Sequence, residues 1–199
     1  MKNSELRNEP DLEKVNEAYR LRTTDRIKTF FTLEEFAEKG SKVSILYISD
    51  MFMRGVNLND ITIRAKRWHE LAKKLHLESA SYRFGSGFYR DGDYQSAFDA
   101  FSWGASDGYA PSIYRLASMH ILGKYVEKDF KKALELLELA AKKGSVFAKK
   151  DLAHILLMKD FGILGKVKAL WLLCILTYYQ IDVIRRRITK VPLDERYLH

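Results

Sequence analysis

Residues 108–143 read GYAPSIYRLASMHILGKYVEKDFKKALELLELAAKK, and Gly144 opens the next stretch on the same plan. The unit is 36 residues long. Its second half is marked by Ala133, with counterparts at Ala65, Ala97 and Ala169, so the spacings are 32, 36 and 36. One more period back from Ala65 lies Thr29. Asp25 precedes it by four, as Asp93 precedes Ala97 and Asp129 precedes Ala133, which predicts a degenerate first unit. A fixed period of this length is the signature of a tandem repeat.

The first half of each unit has helical periodicity. Small residues stand four after the start (Ser44, Ala80, Ser112, Ala148) and apolar ones eight after it (Ile48, Phe84, Leu116, Leu152). The small residue at nine (Ser49, Gly85, Ala117, Ala153) allows a neighbouring helix to approach closely, and Gly55, Gly92 and Gly123 end the helix. Each unit is therefore predicted to be a helical hairpin. Since one hairpin cannot bury both of its faces, the hairpins must stack. The expected fold is all-α, an α-solenoid of about four to five stacked hairpins with an exposed concave surface. N-terminal helices and a degenerate repeat would fill 1–39, regular repeats 40–180, and a C-terminal helix extension with a tail 181–199.

Composition narrows the function. The 199 residues are 47% hydrophobic and carry a formal charge of +8, which favours acidic partners. A lone cysteine, Cys174, allows no intrachain disulfide. The opening MKNSELRNEPDLEKVNEAYR is charged throughout and lacks the apolar centre of a signal peptide, so a cytoplasmic location is expected. The longest near-apolar run, 169–179, is short of the roughly 20 residues that span a bilayer.

Taken together, the small residues, Leu-Gly, aromatic and Gly positions, then Asp-x-x-x-Ala-Leu-x-Trp and Ala-Ala-x-x-Gly, resemble the Sel1-like repeat, a relative of the tetratricopeptide repeat. The unit at 108–143 is nearest, through Leu116, Ala117, Gly123, Asp129, Ala133, Ala140, Ala141 and Gly144. Ala80, Phe84, Gly85, Phe88, Ala97 and Ala105 match in the unit before it, and Gly40, Gly55, Ala65, Trp68 and Ala72 in the one before that. The resemblance implies a non-enzymatic adaptor that assembles other macromolecules. The chain departs from the family in having no cysteine pair in each repeat and no glycine at the end of its last unit.

Catalytic signatures are missing from the sequence. His69, His76, His120, His154 and His199 have no zinc-ligand spacing, so neither a metal nor a cofactor is expected. FGSGFYRDG at 84–92 lies in a helical hairpin, where Gly85 and Gly87 read as packing residues rather than a phosphate loop. Glu34, Glu35, Glu38, Glu135 and Glu138 read as solvated charges on outward faces. Trp68 and Trp103 read as hairpin core.

Two interaction surfaces stand out. If first helices line the groove, as in tetratricopeptide-like solenoids, positions seven and fourteen after each start place Tyr47, Arg54, Arg83, Arg90 and Arg115 along it. Tyrosines 82, 89 and 114 interleave with them. Such a ladder suits a protein partner with an acidic segment. RNA would use the same chemistry, arginine on phosphate and rings on bases, but the variable polar pair of base-reading repeats is not evident, so nucleic acid ranks lower.

The second surface is KALWLLCILTYYQ at 168–180, which copies the buried positions of KALELLELAAKKG at 132–144 but replaces Glu135 by Trp171 and Glu138 by Cys174. Gln180 stands where Gly144 ended the earlier helix, so a helix of roughly 166–190 is expected, stopped by Pro192. Trp171, Cys174, Tyr178, Ile181, Arg185 and Ile188 follow at spacings 3, 4, 3, 4 and 3, a heptad seam broken only by Arg185. Leu170, Leu172, Leu173 and Leu176 are expected on the opposite side. This seam needs a cover, from a second copy, another protein or the tail 191–198. A membrane surface ranks last because the helix keeps no strongly polar face.

Overall fold

The computed structural model describes residues 9–158 and 162–189, and all regular structure among them is helical. Ten α-helices follow one another among these residues: α1 Leu12–Arg20, α2 Arg26–Glu38, α3 Lys42–Arg54, α4 Ile61–Lys74 and α5 Glu78–Arg90. Then come α6 Tyr94–Ser106, α7 Ala110–Leu122, α8 Phe130–Lys142, α9 Val146–Met158 and α10 Gly162–Thr189. They form the expected tandem hairpins, an all-α helical-repeat fold. Two compact units comprise 1–107 and 108–199, so the division falls between whole hairpins.

The repeat period has a physical meaning at each of its fixed positions. Asp25, Asp93 and Asp129 are N-caps of second helices, their carboxylates accepting from the backbone N–H of Lys28, Ser96 and Lys132 at 3.0, 3.1 and 2.9 Å. Four residues on, the first core position falls against the first helix. Thr29 is 3% exposed, and Ala65, Ala97, Ala133 and Ala169 are fully buried. Larger side chains there would force the hairpin open. The small residues Ser44, Ala80, Ser112 and Ala148 are likewise buried on the first helices. Trp68 and Trp103 do lie in hairpin cores.

In the first unit α3 packs on α2, α4 and α5, and α5 packs on α6. Gly85 and Gly87 set the last two approaches. A Cβ on Gly85 would come within 2.5 Å of Phe101 on α6, and one on Gly87 within 2.4 Å of Phe52 on α3. In the second unit α8 packs on α7 and α9, and α9 on α10, around Leu152, Leu156, Ala169 and Leu172.

Glu34 departs from the solvated reading. It is 7% exposed and accepts from Trp68 Nε1 and Arg64 Nη1, each at 2.7 Å. Trp68 is drawn into the core, and its indole N–H must find a partner there, which Glu34 supplies from the preceding hairpin. Glu38, Glu135 and Glu138 are exposed and pair with Arg67, Lys132 and Lys168.

Candidate interaction surfaces

The first-helix face of the first unit is already occupied in part. Helix α1 lies along α3, and the Tyr19 ring stacks on Tyr47 with centroids 3.9 Å apart. The Tyr47 hydroxyl donates to Asn16 Oδ1 at 2.6 Å, and the Tyr19 hydroxyl donates to Asp50. Arg54 Nε donates to the same carboxylate at 2.7 Å. Burial, then the hydrogen bond to Asp50, pushes the Tyr19 phenol up to about 12. Upstream, the Glu9 carboxylate accepts from Ser41 Oγ and from the Val43 N–H, both at 2.9 Å, at the start of α3. Tyr47, expected to face a partner, therefore faces α1. The degenerate unit marked by Asp25 and Thr29 carried that signal, because its first helix has to lie beside α3.

Arg90 also has a different setting from a groove side chain. Its guanidinium donates to the carbonyls of Phe52 and Met53 at 2.7 and 2.9 Å and pairs with Asp91 at 2.7 Å. Arg26 Nη1 reaches Gly55 O at 2.8 Å. These two cations answer the orphan carbonyls at the C-terminus of α3 and complement its dipole. The shallow cleft they line, about 600 Å³, has its positive charge already committed. Arg83 is half-buried on α5, and Arg54 stays largely exposed beyond its ion pair. Arg115 stands half-buried on α7 in the second unit.

Helix α10 has two apolar faces. Gly165, Ala169 and Leu172 are buried, the last two against α9. Opposite them, Ile163, Leu164, Val167, Leu170, Trp171, Tyr178 and Ile181 are between 57% and 85% exposed, and Cys174 is exposed with them. At 3.6 residues per turn these eight fall within an arc of about 120°. Leu170, expected on the buried side, sits at the edge of this stripe. One period earlier, Lys131, Glu135, Glu138 and Lys142 occupy the positions of Val167, Trp171, Cys174 and Tyr178, and all four are exposed. The face that inner second helices show to water is thus apolar in the last one. The side chains of Arg185 and Ile188 and the tail 191–198 lie outside the described residues.

Among the described residues no group of His, Cys, Asp and Glu could hold a metal ion, and no helix is long and apolar enough to cross a membrane.

Residues 110–145 match the Sel1 repeat family model. A Sel1 repeat protein from Oxalobacter formigenes superposes with a TM-score of 0.61 at 21% identity, over 90% of this chain and 76% of that one. The structure of c5321, a protective antigen of uropathogenic Escherichia coli strains displaying an SLR fold, gives 0.62 at 19% identity, again over 90% of this chain. This chain spans 41% of that protein. No curated protein sequence matches significantly.

Proposed function

We propose that this chain, which carries a Sel1 repeat within a fold shared with Sel1-repeat proteins, is a non-catalytic scaffold that docks other protein through the outer face of α10. The observation that carries this reading is the stripe from Ile163 to Ile181. Each large apolar side chain kept in water forgoes roughly 1.5–3 kcal/mol of burial, and a contiguous row of them is the mark of an interaction face. Its surroundings support a protein partner: the row is straight, helical in spacing and backed by packed core. The test is affinity capture followed by mass spectrometry for wild type and for Trp171→Glu combined with Ile181→Glu. The double variant is expected to keep its helical signal and lose its associations. Unchanged associations would remove α10 as the docking face.

A second reading is favoured by Arg83, a partly exposed cation with no ion-pair partner among the described residues. With Arg54 it would bind an acidic protein segment on the first-helix face of the first unit. Charge reversal at Arg83 should then weaken binding with the thermal midpoint held. A steep loss of affinity with added salt for an RNA oligonucleotide would instead favour nucleic acid.

A further inference from the structure

We infer that the occupant of the α10 stripe is the same stripe of a second copy, the two helices running antiparallel about a two-fold axis that passes between Leu172 and Leu173. This rests on α10 being the docking face. A two-fold interface requires one patch to be complementary to itself, so that if residue i meets j, j also meets i. Six of the eight stripe residues meet that condition in position and in size. Leu164, Val167, Trp171, Cys174, Tyr178 and Ile181 are spaced 3, 4, 3, 4 and 3, which reads the same from both ends. Reversal about the midpoint sets Trp171 against Cys174, Tyr178 against Val167, and Leu164 against Ile181. The two largest side chains each meet a small one, as interdigitated packing demands, and the outer pair match in volume. Parallel pairing would set Trp171 on Trp171 and Tyr178 on Tyr178, leaving Val167 and Cys174 with gaps.

Area and charge agree with this. Eight exposed side chains spread along about 25 Å of helix offer surface on the order of the 800 Å² per partner that a specific interface takes. Lys168, on the rim of the stripe, is held by Glu138 of its own chain at 2.6 Å, so this cation is balanced before two like-charged copies meet.

The full chain should sediment at twice 23.2 kDa at micromolar concentration and the Trp171→Glu, Ile181→Glu variant at 23.2 kDa with its helical signal kept. Orientation is read by disulfide trapping in a Cys174→Ser background. Val167→Cys mixed with Tyr178→Cys should cross-link, whereas each alone should not, because residues 167 and their mates lie about 16 Å apart along an antiparallel pair. Cross-linking of Val167→Cys with itself would overturn the antiparallel geometry. A monomeric wild type overturns the second copy, and the variant then says what else fails. If that variant stays folded and loses a captured protein or binding to vesicles of phosphatidylglycerol and phosphatidylcholine, another occupant takes the face. If the variant and the milder Cys174→Glu both unfold, the stripe is covered by the chain itself and the docking reading falls with it.

Discussion

His69 sits 5% exposed on α4, its ring 5.8, 6.0 and 5.6 Å from those of Phe84, Phe88 and Trp103. Its Nε2 is buried with no hydrogen-bond partner among the described residues. Burial pushes its pKa down to about 4, against an ordinary value of 6.5, with the exposed Glu70 only partly opposing this and Lys73 adding to it. Between those two values the unfolded chain takes up a proton that the folded chain refuses. Stability is therefore expected to fall as pH drops from about 6.5 towards about 4, by up to roughly 3 kcal/mol, and to be unaffected by this group above neutrality. The thermal midpoint of wild type should fall relative to that of His69→Leu on acidification across that range; parallel curves would exclude the effect. The sequence offered His69 only as a residue without metal-ligand spacing, because its aromatic cage comes from two other helices, α5 and α6. Glu34 was hidden for the same reason: the period reveals where it repeats, and only the neighbouring hairpin reveals that Trp68 and Arg64 reach it.

Between elements, the hairpin is fixed by its caps and its smallest residues. Ala133 is fully buried where α8 meets α7, so Ala133→Leu is expected to overpack the contact and cost about 1–3 kcal/mol in chemical denaturation. Asp129→Ala should cost about 1 kcal/mol through loss of the cap alone. His76 ends α4 in the left-handed region at φ 54, at a junction where Gly40, Gly108 and Gly144 end other second helices. His76→Gly should accordingly gain up to about 1 kcal/mol. Much of this was legible from the spacing of Asp, Ala and Gly, because caps, cores and stops are local requirements repeated in each unit. The start of α10 was less so. Gly165 stands where a capping Asp belongs, and the helix begins at Gly162 rather than near Lys166. The groove was least legible: Arg90 and Tyr47 hold the register expected for a partner, but a carbonyl row and a preceding helix compete for them and lie closer.

For the whole chain, a charge of +8 is shared by two compact units, and the second carries an apolar face of α10 that is exposed among the described residues. Association through that helix buries apolar surface, so added salt is expected to leave the mass in solution unchanged or raise it, whereas contacts made by Arg83 or Arg115 would weaken. Light scattering across a salt series separates the two; a mass that falls steadily with salt would count against the α10 face.

The run of α10 through Gln180 has one more consequence. In the inner hairpins a left-handed residue turns the chain back, so that the next first helix starts beside the last second helix. Without that turn, α10 keeps its direction for nine residues beyond Gln180, carrying the backbone about 13 Å past the point where a sixth hairpin would have to begin. Copying another 36-residue block after position 180 would not lengthen the array, because the block would arrive out of place. Growth of the array at this point would need a stop near 180 like the left-handed Gly144 one repeat earlier.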